Sequence, residues 1–177
     1  MTDKLIKGRV VKFGDQVNTD VMAPGRWHRQ GMDILRLHTM EAIRPDFYKQ
    51  VRPGDVLVAG KNFGCGSHRE SATAIMKVLG ISAIVADSIA RLYYRNCIAL
   101  GIPVFGIRGI STIFAEGDEI EISIGAEGVV DTYSALSPCV ARAAKAHLVS
   151  SRSSSRHLWS AFPRAATPGG AETQPGR

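Results

Sequence analysis

Cysteine is scarce: the 177-residue chain has three, Cys65, Cys97 and Cys139, with no C-x-x-C pair and no metal-ligand spacing. That excludes a disulfide-dense secreted scaffold and suits a reduced, intracellular protein. Aromatic residues are only 7%, so a core built from the 45% hydrophobic residues must be mainly aliphatic. No apolar run approaches the about 18 residues of a membrane span. Met1–Lys12 lacks the apolar stretch of a signal peptide, and a cytoplasmic location is expected. The net charge of +6 includes no dense Lys/Arg cluster. This argues against a nucleic-acid partner and suits a small anionic substrate or an acidic partner equally well.

What is present fits one domain with a tail. Leu5–Phe13 has the composition of a strand interrupted by Gly8, and the turn-rich stretch Gly14–Gly31 follows it. Apolar residues Ile34, Leu35, Leu37, Met40 and Ile43 predict a helix over Met32–Ile43. Val56–Ala59, Ile81–Ala86 and Val104–Ile107 are short apolar runs of the kind that form buried strands. Between them lie two helical segments: Ser71–Leu79, closed by Gly80, and Ile89–Leu100, closed by Gly101 and opened by Ser88 as a possible cap. This alternation is that of an α/β unit. Beyond it, Ile120, Ile122 and Ile124 alternate with Glu119, Glu121 and Ser123, a half-exposed strand turning toward Val129-Val130 in a hairpin. Pro138 would open a last helix, Cys139–Leu148. From Ser150 the chain is rich in Ser, Pro, Gly and Arg, and buries too little to order itself. The expected division is a folded domain over 1–149 and a basic tail over 150–177.

The densest chemistry is Gly60-Lys-Asn-Phe-Gly-Cys-Gly-Ser-His-Arg-Glu70, placed between a strand and a helix. Glycines let a backbone approach a ligand, a helix N-terminus favours an anion, and the Arg69 fork matches a carboxylate or phosphate. Three readings are open on the residues alone. The loop is a tight turn in which Ser67 and Glu70 form a capping box. Or it is a dinucleotide turn, with Asp87 placed for a ribose, although Arg69 stands where the third glycine of G-x-G-x-x-G belongs. Or it is a catalytic anion cradle. Cys65 reads better as a small packed side chain than as a nucleophile, since nothing nearby is an obvious base.

The segment resembles the G-x-N-F-G-C-G-S-S-R-E signature of the aconitase superfamily. More narrowly, it is similar to the small subunits of 3-isopropylmalate dehydratase and homoaconitase-type hydro-lyases. Gly14-Asp-Gln-Val-Asn-Thr-Asp20, Pro24-Gly-Arg26 and Ser88-Ile-Ala-Arg-Leu-Tyr-Tyr-Arg-Asn96 resemble further blocks of that family in the same order, so the likeness spans about residues 5–148. It implies a three-layer swivelling β/β/α domain, like the last domain of aconitase. It implies a large-subunit partner carrying a [4Fe–4S] cluster, with no cofactor on this chain. The expected activity is reversible dehydration of a hydroxy di- or tricarboxylate, foremost the interconversion of 2- and 3-isopropylmalate in leucine biosynthesis. Homocitrate-like or alkylmalate substrates are the nearest alternatives, and a free-standing anion- or dinucleotide-binding module is the alternative of another class.

Carried over residue by residue, the resemblance makes Ser67 the catalytic base and Arg69 the substrate-carboxylate arginine. Arg26 is a second carboxylate anchor, and Asp20 and Thr19 join the substrate-binding set. Asp20 would orient either Arg26 or a proton relay. Arg91, Tyr93, Tyr94 and Arg95 would support the site or the subunit contact. Two positions depart from the family: His68 stands in place of its second serine, and Trp27-His28 in place of Tyr-Leu in the loop that meets the variable part of the substrate. These departures bear on substrate identity.

Overall fold

The computed structural model describes residues 4–67, 69–124, 130–134 and 144–146. Strand β1 (Lys4–Lys12) leads into a short helix α1 (Thr19–Met22), a 3-10 turn (Gly25–Gln30), and helices α2 (Met32–Leu37) and α3 (Phe47–Gln50). Then β2 (Val56–Ala59), α4 (Glu70–Val78), β3 (Ala83–Ala86), α5 (Arg91–Ala99) and β4 (Val104–Gly106) alternate. Helix α6 (Ile110–Ile113) precedes β5 (Glu119–Ile124), β6 (Val130–Ser134) and β7 (Ala144–Ala146).

The strands form one seven-stranded sheet in the order β4-β3-β2-β1-β5-β6-β7. It has two characters, and β1 belongs to both. Val10–Lys12 pair in parallel with Val56–Val58 of β2, whereas Lys4–Arg9 pair antiparallel with β5. Gly8 does not interrupt the strand as expected. It lies where the Gly54 carbonyl and Val56 cross β1, and any Cβ there would overlap the Gly54 oxygen. Arg9, the next residue, fixes the same crossing: its Nε and Nη2 donate to Asp55 at 3.2 and 2.6 Å, and Nη2 also donates to the Gln50 carbonyl at 2.8 Å.

All four residues of β2 and of β3 are buried, as expected of parallel strands covered on both faces. On one face Leu57, Ala59, Ile84 and Ala86 meet Leu35, Phe47, Ile75, Met76 and Tyr93 from the helices. On the other, Val56, Val58, Ala83, Val85 and Phe105 meet Ile120, Ile122 and Ile124 of β5, with Ile110 and Phe114. The antiparallel half therefore curls under the parallel half, giving β, β and α layers. Period-two alternation over Glu119–Ile124 holds: the three isoleucines are buried and Glu119 is exposed.

Three expected helices differ. The Met32–Ile43 helix stops at Leu37. The Thr39 hydroxyl bonds back to the Leu35 carbonyl at 3.1 Å, and Met40 takes a left-handed backbone (φ 61°) that buries its side chain while its N–H donates to Val21. Helix α5 starts at Arg91, not Ile89, because Ser88 and Ala90 are paired with Asn62 and Phe63 instead. Residues 144–146 lie in strand β7, paired antiparallel with β6, where a helix over Cys139–Leu148 was expected. The open hydrogen-bonding edge of β6 outweighs the helical propensity of an alanine-rich segment. The proposed 150–177 tail lies outside the described residues.

Gly8→Ala is expected to lower thermal stability by about 2 kcal/mol or more through backbone overlap. Gly14→Ala, with no neighbour within 4 Å of an added Cβ, should stay within about 0.5 kcal/mol of the parent in the same melting experiment.

Candidate active site

After β2 the chain runs through residues 60–67 without regular structure, yet both of its edges are paired. On one side the Lys61 carbonyl accepts from Gln16 N–H at 2.7 Å, Gly64 N–H donates to Val17 at 2.9 Å, and the Cys65 carbonyl accepts from Thr19 N–H at 2.7 Å. On the other, Asn62 N–H donates to the Ser88 hydroxyl at 2.8 Å, Phe63 N–H to the Ser88 carbonyl at 3.0 Å, and Ala90 N–H to the Phe63 carbonyl at 2.8 Å. The segments around Gly14–Asp20 and Ser88–Asn96 thus flank the glycine loop as neighbouring strands would. Two glycines make the fit possible. Gly64 (φ 78°) lies against the ring of Tyr93, and Gly66 (φ 108°) against the Asn18 side chain; a Cβ at either would overlap its neighbour. Tyr93 is fully buried beneath the loop, edge-on to Phe63 at 5.6 Å.

Ser67 is exposed, and its hydroxyl donates to Asp20 Oδ1 at 2.6 Å. Asp20 is itself held by α1, whose cap, the Asn18 side chain, accepts from Asp20 N–H at 2.8 Å. This corrects the capping-box reading: α4 begins at Glu70, Arg69 is its N-cap residue, and no side chain caps that end. Ser67 stands two residues too early to cap and spends its proton on Asp20. Arg69 is exposed, and its Nη1 would be 3.1 Å from a Cβ on Gly25, so the guanidinium reaches the 3-10 turn that carries Arg26. Thr19 is 1% exposed, and its N–H bond to Cys65 ties the two loops together. His68 lies outside the described residues.

Arg26 does not meet Asp20. Its Nη2 is ion-paired with Glu41 Oε1, which also accepts from Trp27 Nε1 at 3.4 Å, while Glu41 Oε2 bonds His38 Nδ1 at 2.6 Å. Burial raises the Glu41 pKa, but the bonds from His38, Arg26 and Trp27 outweigh it and hold the carboxyl below the ordinary glutamate value. The Trp27 and His38 rings stack at 3.8 Å with 9° between their planes. His28 Nε2 lies 2.7 Å from the Ala23 carbonyl, a bond that requires the proton on Nε2. Trp27 and His28 are therefore half-buried and committed to contacts within the chain, whereas Arg26 and Arg29 are exposed. Glu41 and His38 carried no signal in the sequence, since Arg26 and Trp27, which they meet, lie in a loop more than ten residues away.

The competing chemistries lose their residues. Both carboxylate oxygens of Asp87 are taken by the N–H and hydroxyl of Ser111, at 3.0 and 2.9 Å, so it is not presented to a ribose. The Cys65 thiol lies 3.5 Å from the Gln16 carbonyl. Cys97 is buried, and burial pushes its thiol up to about 12, against a weaker lowering by the neighbouring Tyr93 side chain. Among the described residues, no group of three or more His, Cys, Asp or Glu gathers to hold a metal, and no helix is long and apolar enough to cross a membrane. At pH 8 a thiol held at about 12 is thiolate in about one molecule in ten thousand, which makes it inert to alkylation. In a Cys139→Ala background, iodoacetamide at pH 8 should label Cys65 and spare Cys97 until the chain unfolds, as read by peptide mass.

Comparison with known proteins agrees with this geometry. Residues 28–104 match the aconitase C-terminal domain. A 3-isopropylmalate dehydratase small subunit of Thermotoga maritima is 48% identical over 122 residues, 68% of this chain and 73% of the relative. A methanogen homoaconitase small subunit of Methanothermobacter thermautotrophicus is also 48% identical over 122 residues, 68% of this chain and 69% of that relative. The crystal structure of a 3-isopropylmalate dehydratase from Methanocaldococcus jannaschii superposes with a TM-score of 0.63 at 37% identity, over 76% of this chain and 85% of the other. Glycine loop, fold and relatives converge, and the chain belongs to the aconitase C-terminal domain family, among the small subunits of 3-isopropylmalate dehydratase and homoaconitase type.

Proposed function

We propose that this chain is the small subunit of a two-subunit hydro-lyase, cytoplasmic like the biosynthesis it would serve, that interconverts 2- and 3-isopropylmalate. The observation that carries the reading is the 2.6 Å bond from the Ser67 hydroxyl to Asp20, on the loop that also presents Arg69. In the dehydration step a proton leaves the carbon beside a carboxylate and a hydroxyl leaves the neighbouring carbon, so that water and an alkene result. Rehydration with the hydroxyl on the other carbon completes the isomerisation.

Ser67 is the group in this chain that takes the proton. A serine hydroxyl is too weak a base unaided. Asp20 fixes the direction of its hydrogen and is placed to receive it, which leaves the Oγ lone pairs for the substrate. The N-terminus of α4 and the Arg69 guanidinium supply the positive potential that makes a basic oxygen less costly. Arg69 is suited to grip the substrate carboxylate with two parallel hydrogen bonds, and Arg26, exposed on the facing turn, to grip the second. A [4Fe–4S] cluster, whose chemistry is to draw off the departing hydroxyl, belongs to the large subunit in this reading.

The test is steady-state kinetics of the chain reconstituted with a cluster-loaded large subunit. The substrates to compare are isopropylmalate, citramalate and homocitrate. Ser67→Ala should lower kcat by about 10²–10⁴-fold with little change in KM, since a general base acts in the transition state. Arg69→Lys keeps the charge but loses the fork, and should raise KM instead. Near-parental turnover by Ser67→Ala would reduce the loop to an anion cradle, and homocitrate as the preferred substrate would move the activity to the homoaconitase side.

A further inference from the structure

Arg26 sits on a short 3-10 turn that has no side-chain cap and no buried residue of its own, so something outside the turn must hold it. Besides the contact of His28 with the Ala23 carbonyl, the side chain that holds it is Glu41. One carboxylate gathers three groups, Arg26, Trp27 and His38, and His38 in turn supports the Trp27 ring from below. The backbone that delivers Glu41 is itself specialised: the left-handed Met40, fully buried and bonded to Val21, turns the chain back toward the loop. The grip on Arg26 is one-sided. A single amino group, Nη2, meets Glu41, and the arginine side chain stays 69% exposed. The guanidinium is thus aimed by one corner, leaving its other donors for an incoming anion.

We infer that Glu41 is a positioning residue for substrate binding, acting through Arg26 and Trp27, with His38 as its support. This rests on the proposed role of Arg26 as a carboxylate anchor. A preorganised guanidinium binds a dicarboxylate without first being ordered, so Glu41 should lower KM and leave the chemical step alone.

Two measurements test it. In the reconstituted enzyme Glu41→Ala should raise KM for the dicarboxylate about tenfold with kcat within about twofold, and Glu41→Gln, which can still accept from Trp27 and Arg26, should recover part of the loss. Glu116→Gln is the control: it weakens the Arg44 ion pair, which is outside the site, and should leave KM unchanged. The second measurement needs no activity. In the isolated chain carrying Trp159→Phe, Trp27 is the remaining tryptophan, and Glu41→Ala should shift its emission to the red as the ring leaves His38. An unchanged KM in Glu41→Ala, or a KM rise equalled by Glu116→Gln, overturns the inference, and so does an unmoved Trp27 emission. Failure of the function reading would look different: the parent enzyme would turn over none of the hydroxy acids, while the fluorescence response to Glu41→Ala would persist.

Discussion

The backbone of residues 60–65 is hydrogen-bonded along both edges, to residues 14–19 on one side and to Ser88 and Ala90 on the other. Nearly every functional position depends on that double pairing. It lets irregular chain run through the middle of the domain without leaving buried amides unsatisfied. It also brings Asp20 and Ser67, forty-seven residues apart in sequence, into direct contact. The glycines are the condition for it: Gly60, Gly64 and Gly66 each lie where a Cβ would overlap a neighbour, respectively Asp15, Tyr93 and Asn18.

Beneath this, β1 unites two kinds of sheet. Its first half belongs to the antiparallel curl and its second to the parallel α/β layer, with Gly8 and Arg9 at the junction. Two hydrophobic layers result, one shared with helices and one enclosed between strands. The candidate site lies at the carboxyl end of β2, where the chain leaves the sheet for the N-terminus of α4, the place where open α/β sheets commonly bind their ligands.

Much of this was legible beforehand, and the exceptions have physical reasons. The parallel strands announced themselves as all-apolar runs and β5 as strict alternation, because burial on two faces or one leaves those patterns. Ser67 and Arg69 became candidates through their resemblance to a family signature. The helix over Met32–Ile43 was overextended because apolar spacing does not register the left-handed turn at Met40. Ser67 and Ser88 both looked like helix caps, and both hydroxyls instead bond across the loops, Ser67 donating to Asp20 and Ser88 accepting from Asn62. Glu41 was invisible for a simpler reason: a glutamate near the end of a helix is ordinary, and only the fold shows that Arg26, Trp27 and His38 all converge on it.

The pairing of residues 60–65 is made mostly by main-chain groups, and this has an evolutionary reading. A frame built from amides and carbonyls is indifferent to what most of its side chains are. It tolerates drift everywhere except at the glycines and the few polar residues that stitch the loops together. The facing turn can therefore carry different side chains, as Trp27 and His28 do by standing where the resembled motif has other residues, while the main-chain pairing keeps Ser67 and Asp20 in contact. A change confined to that turn would alter the surface beside the loop and leave the contact of Ser67 with Asp20 in place.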